Sequence, residues 1–397
     1  MAETRTQVIE HARLVCGAGV ALLGIAVLAG TQATTNPSVP VEAHIVPVPT
    51  QGGGVEVAVK SGDEVTLAGT FVVPTGDRQA KRAAVVFITG SGPQDRDETV
   101  FGHKPFRLLA AALAEVGIAS LRCDDRGCAS STGDFSKATT FDFVNDAKAQ
   151  IAWLRARDEI DPARVGVIGH SEGATIGALL AQGPSPAMNF GVLLAPTGIT
   201  GAEVMVTQTA AMQLRMGAAA SDVAFAGEIQ RELLAAVVRG EGDEALEAMM
   251  EQLVEAQCAA LKTKATAQQL SLAKTLGLSQ VTSPWARTFL ALDPAPALSK
   301  ISVPLLVLFG ELDLQVLPKF NKLPYESGGL VSPVKPEIVL ISKANHLFQT
   351  ARTGMVDEYA SIKETMNPEV PKLVCEWVVR TSNDLQKLPT PSPKSSP

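Results

Sequence analysis

The sequence contains no run of Lys and Arg and no interleaving of basic with aromatic residues. Its 397 residues carry 34 Lys and Arg against 41 Asp and Glu, a formal net charge of −7. Phosphate recognition relies on clustered cations, so a nucleic-acid partner is not expected. Cysteine is scarce, with 5 in the chain, and no CxxC or Cys/His spacing points to a metal site. No metal or cofactor is expected. Charged residues make up only 19% and apolar residues 46%, a balance that excludes a solvated, unfolded chain and suits a sizeable core. Gly90-Ser91-Gly92 lacks the Gly-Lys-Ser/Thr ending of a phosphate-binding loop, which excludes that reading.

Long hydrophobic runs are also rare. The exception, residues 14–30, follows Arg5 and Arg13 and leads into small residues. Its length falls between a signal-peptide core and a spanning helix. Residues 1–33 therefore read either as an export signal ending at Ala33 or as an uncleaved membrane anchor. The first places the protein in the periplasm or outside the cell; the second tethers it through residues 14–30. No cysteine for lipid attachment ends the run. Residues 34–54 read as a linker, and the Pro- and Ser-rich stretch 383–397 as a disordered tail.

Between these ends the pattern is strand-like and helix-like by turns. Residues 55–60 and 64–73 flank Ser61-Gly62-Asp63 as a hairpin. Short aliphatic runs follow at 83–89, 118–122, 165–169, 190–195, 304–309 and 337–342. Such runs suit strands covered on both faces. Amphipathic stretches at 105–116 and 141–157 lie between them, the second with Phe143, Ala147, Ile151 and Leu154 near helical spacing. This repetition implies an α/β protein with a mainly parallel central sheet and helices on both faces. Residues 198–292 break the rhythm with helical stretches only, so they read as an inserted helical lid between core segments 55–197 and 293–382. Met205, Met212, Met216, Met249 and Met250 lie there, either filling its core or giving a pliable apolar wall.

Gly169-His170-Ser171-Glu172-Gly173 sits between an expected strand and an expected helix. A nucleophile exposed at a strand end needs a sharp turn with glycines beside it, which makes Ser171 the candidate nucleophile. A serine hydroxyl requires a neighbouring base. Of the five histidines, His11 and His44 precede the core, His103 leads a helix and His170 is locked in the turn. His346, after the last expected strand, remains. Gly310-Glu311-Leu312-Asp313 follows another strand; Asp313 is the preferred partner for His346 and Glu311 the second choice. All these groups stand at carboxyl ends of strands, which share one edge of a parallel sheet. Backbone N–H groups of Glu172 and Ser91 are the candidate oxyanion donors. The order Ser171, Asp313, His346 is that of α/β-hydrolases.

Two charged clusters remain, Gln94-Asp95-Arg96-Asp97 and Asp124-Asp125-Arg126-Gly127. Their alternating signs suggest salt bridges within each cluster that fix loops. Cys123 and Cys128 flank the second, where a disulfide is conceivable; small buried apolar roles are the favoured reading for both.

The segments GSGPQDRDE, LRCDDRG with STGDF, GHSEG, GELDLQV and NHLFQ resemble a bacterial family of α/β-hydrolase esterases, described as S9-like or dienelactone-type hydrolases. The resemblance spans residues 55–379. It departs at Cys123 and Cys128-Ala129, where family members carry an aromatic and a Gly-containing turn. It implies the α/β-hydrolase fold, a triad of Ser171, Asp313 and His346, and activity on short acyl esters. The expected function is thus serine hydrolysis of small-molecule carboxylic esters of short to medium chain. A peptidase or thioesterase on the same fold remains an alternative, as does a non-catalytic binding protein.

Overall fold

Eight strands form one sheet in the order β1-β2-β4-β3-β5-β6-β7-β8. The computed structural model describes residues 54–75 and 81–387. The expected leader, nearly all of the linker and the tail beyond Lys387 lie outside the described residues. Among the described residues no helix is long and apolar enough to cross a membrane.

Strands β1 (Gly54–Ser61) and β2 (Val65–Val72) form the expected antiparallel hairpin, which joins the sheet through β2 and β4 (Ala119–Cys123). From β4 through β3 (Arg82–Ile88), β5 (Ile160–His170), β6 (Phe190–Leu194), β7 (Leu305–Gly310) and β8 (Glu337–Ile341), every neighbouring pair is parallel. Strand β5 begins five residues before the apolar run at 165, because Arg82 pairs with Ile160 ahead of a register shift. β4, β6 and β7 are buried at every position. The apolar character of β6 and β7 follows from having both faces covered, each large buried side chain contributing roughly 1.5–3 kcal/mol; β4 also buries Ser120 and Arg122.

The alternation of side chains along β3 divides the core in two. Ala84, Val86 and Ile88 pack with helices α2 (Thr140–Arg155) and α3 (Glu172–Leu180) on one face. Ala83, Val85 and Phe87 pack with α1 (Pro105–Glu115) and the last helix on the other. Thr139 and Asp142 form a capping box that starts α2.

Five helices occupy the stretch between β6 and residue 292. They are α4 (Gly201–Arg215), α5 (Ala220–Arg239), α6 (Asp243–Ala260), α7 (Ala267–Val281) and α8 (Pro284–Ala291). They share a core of their own, built on Leu233, Leu234, Val237, Met250 and Leu253. Met205, Met249 and Met250 belong to it, Met212 is buried, and Met216 is exposed. Helix α9 (Ala295–Leu298) returns the chain to the sheet, and α10 (Pro318–Val331) and α11 (Glu369–Gln386) complete the layers. α11 runs on to Gln386, four residues into the stretch expected to be tail. Leu385 still packs against the sheet core, so its apolar stripe continues past Asn383.

Candidate active site

Ser171 follows directly on β5 and adopts φ 54° and ψ −117°, a conformation that L-residues rarely take. The turn is held by its neighbours. A Cβ on Gly173 would lie 2.1 Å from the carbonyl oxygen of Ile88, and one on Gly169 would lie 2.2 Å from that of Gly173. Only glycine lets the turn sit this close to β3. Gly90 faces Ser171 so closely that a Cβ there would meet the serine Cβ at 3.2 Å.

His346 is presented by a loop that closes on itself. Asn345 Nδ2 donates to Gln349 Oε1 at 3.0 Å, and the Gln349 amide donates to Asn345 Oδ1 at 2.9 Å. The loop is also laced to the end of β7, since the amides of Glu311 and Leu312 donate to the carbonyls of Ile341 and Ala344. This lacing brings Asp313 to His346, with Oδ2 2.8 Å from Nδ1 and both side chains buried. The other oxygen, Oδ1, accepts the amides of Gln315 and Val316 at 2.8 and 2.9 Å. The carboxylate is thus fixed on one side, leaving the other to orient the imidazole. Glu311 turns away and accepts from Ser342 Oγ and the Lys343 amide.

Ser171 and His346 border one cleft of about 590 Å³. Its apolar walls include Val204 of α4, Phe289 of α8, Val316 and Leu347. Gln94, Gln208, Thr197 and Gln315 add polar edges. The insertion therefore supplies two helices to the cleft, although the methionines singled out in the sequence are not among these lining groups.

The two candidate oxyanion residues meet through their side chains. Ser91 lines the cleft, and its Oγ donates to Glu172 Oε2 at 2.9 Å. Glu172 is buried at the first turn of α3 and accepts two further bonds, from Thr140 Oγ1 at 2.7 Å and from Trp285 Nε1 of α8 at 2.9 Å. Burial raises its pKa, and the three donors only partly offset this. Asp125, beneath the same turn, is also raised by burial despite bonds from Thr89 Oγ1 and the Gln94 amide.

The charged clusters pair across the fold rather than within themselves. Arg96 bonds Asp124 through Nε and Nη2 at 3.0 and 2.8 Å, Arg122 bonds Asp97, and Arg126 reaches Asp142 and Asp146 of α2. The ion pairs therefore join these loops to other segments, while Asp95 braces its own loop by accepting the amides of Asp97 and Thr99. Cys123 and Cys128 are free buried thiols, as is Cys375.

Several neighbours of the site carry no local signal in the sequence. Glu98 and His170 form a buried pair at 2.9 Å, and Trp285 crosses from the insertion to Glu172. Glu98 belongs to the QDRDE segment and His170 to the nucleophile turn, yet 72 positions separate the two.

A mainly parallel sheet with a strained serine turn after β5, and with acid and histidine after β7 and β8, defines an α/β-hydrolase fold. Residues 62–346 match the family described as X-Pro dipeptidyl-peptidase (S15 family), and the chain belongs to that family. Over 116 residues it is 32% identical to Esterase EstD of Thermotoga maritima. That match covers 29% of this chain and 27% of the relative, so the chain spans about a quarter of that protein's length. The Pyrococcus furiosus esterase Pf2001 superposes with a TM-score of 0.53 at 18% identity, over 89% of this chain and 99% of the other. A second crystal form of Pf2001 gives a TM-score of 0.50 over 87% and 100% of the two chains, also at 18% identity. These likenesses show the shared fold.

Proposed function

We propose that the protein is a carboxylic ester hydrolase that works through an acyl-enzyme. Ser171 attacks the ester carbonyl while His346 takes its proton, and Asp313 holds the imidazole and stabilises its charge. The amides of Ser91 and Glu172 receive the oxyanion. His346 returns the proton to the departing alcohol, and water then releases the acid by the same steps. The observation that carries this reading is the buried Asp313–His346 pair bordering the cleft that holds Ser171. The apolar side chains at the cleft wall suit a short to medium acyl chain.

The family description favours a second reading, removal of X-Pro dipeptides. A free peptide amino terminus is cationic and calls for a carboxylate in the cleft. Glu98 lines it, but its Oε1 is engaged by His170 and by the Gly90 amide. This favours a neutral ester. Rates on p-nitrophenyl esters of increasing chain length, compared with an X-Pro p-nitroanilide, separate the two. The ester reading predicts turnover of acetate to octanoate esters with little on the anilide; faster turnover of the anilide would overturn it.

We further propose export, on the pattern of residues 1–33 alone. N-terminal sequencing of protein recovered from the native host would give a start after Ala33; recovery of intact Met1 from the cytoplasm would contradict it.

A further inference from the structure

A second imidazole lies beside the first. His170 is buried, and its ring centroid is 4.7 Å from that of His346. Its Nε2 is 2.9 Å from the carbonyl oxygen of His346, and its Nδ1 is 2.9 Å from Glu98 Oε1. A carbonyl oxygen can only accept, so Nε2 carries a proton. Glu98 Oε1 already accepts the Gly90 amide at 2.7 Å, and an oxygen so engaged is a poor proton donor. Nδ1 therefore carries a proton as well. Two donating nitrogens exist only in the imidazolium.

We infer that His170 is held as an imidazolium throughout the neutral range and fastens the His346 loop to the Gly90 turn. It is a positioning residue for the base and the oxyanion turn, and this role rests on the ester-hydrolase reading above. Each link has its own geometry. On one side His170 holds the backbone of His346 itself. On the other, Glu98 shares one oxygen between the imidazolium and the amide of Gly90, next to Ser91. A single buried pair thus connects the two halves of the chemistry, which come from β3, β5 and β8.

The charged and titratable groups around it agree. Glu98 faces it from the loop after β3, Asp313 from the loop after β7, and His346 from the loop after β8. Burial alone would discharge the ring, but Glu98, the His346 carbonyl and Asp313 together outweigh it and raise its pKa.

The test is a two-bond 1H–15N correlation on the full chain with 15N-labelled histidine. One of the five histidines should keep both nitrogens protonated at a pH where a free imidazole has become neutral. If all five lose the second proton where a free imidazole does, the inference is overturned. This readout needs no turnover, so its failure is distinct from failure of the ester reading. Kinetics supply the second arm. His170→Asn should lower kcat about 100-fold with KM within about 3-fold. A variant that folds as wild type and keeps wild-type kcat would also overturn it.

Discussion

The indole N–H of Trp285 stands 2.9 Å from both carboxylate oxygens of Glu172, joining the helical insertion to the first residue after the candidate nucleophile. Trp285 also stacks on Phe289, a wall of the cleft, with centroids 5.1 Å apart. The insertion is thereby docked on the site through a polar bond and an aromatic pair together. Trp285→Phe keeps the stacking and loses the bond. It should cost about 1 kcal/mol in urea unfolding; no change would show the bond to be idle.

The same carboxylate gives a pH prediction. Glu172 has a folded pKa above its ordinary value of 4.5 because it is buried. As pH rises through 4.5 the unfolded chain releases this proton first, so the folded state loses stability until its own pKa is passed. Glu172→Gln removes that penalty and can keep partners for Ser91, Thr140 and Trp285. Its Tm relative to wild type should therefore rise as pH climbs above about 4.5. A Tm difference that is flat or falls with pH would contradict the assignment. Glu172→Ala strands three donors and should be destabilised by about 3 kcal/mol or more at any pH.

Asp313 and Glu311 offer a direct contrast two positions apart. Asp313→Asn should lower kcat by about 10⁴-fold, because the imidazole loses the partner that sets its tautomer. Glu311→Gln should stay within about 3-fold of wild type, since Glu311 only ties Ser342 and Lys343. Equal losses in steady-state assays of the two variants would refute the assignment of roles.

Arg96 and Asp124 carry a structural prediction. Asp124 is 2% exposed and also accepts the amides of Arg96 and Ser130. Asp124→Asn leaves the Arg96 charge partly uncompensated and should lower unfolding free energy by about 3 kcal/mol. A loss below about 0.5 kcal/mol would show that this pair does not hold the loops after β3 and β4.

Much of this arrangement is legible in the sequence, for a physical reason. Strands buried on both faces must be aliphatic throughout, so β3, β6 and β7 announce themselves. The strained serine turn requires Gly169 and Gly173, and the parallel sheet then sends Ser171, Asp313 and His346 to one edge. Pairings between distant segments leave no local pattern. Arg96 reads as a partner of its own Asp95 and Asp97, yet bonds Asp124. His170 reads as a filler of the turn, and only the folded chain brings Glu98 to it. The end of α11 is missed because Pro and Ser beyond Lys387 colour the composition while Leu385 still packs.

The most direct test of the central claim is p-nitrophenyl butyrate turnover by wild-type protein and by Ser171→Ala, at equal concentrations of folded chain. The account predicts that the substitution lowers kcat roughly 10⁴- to 10⁶-fold while leaving Tm within a few degrees. Turnover unchanged without the Ser171 hydroxyl, or absent from the wild-type protein on every ester tested, would contradict it.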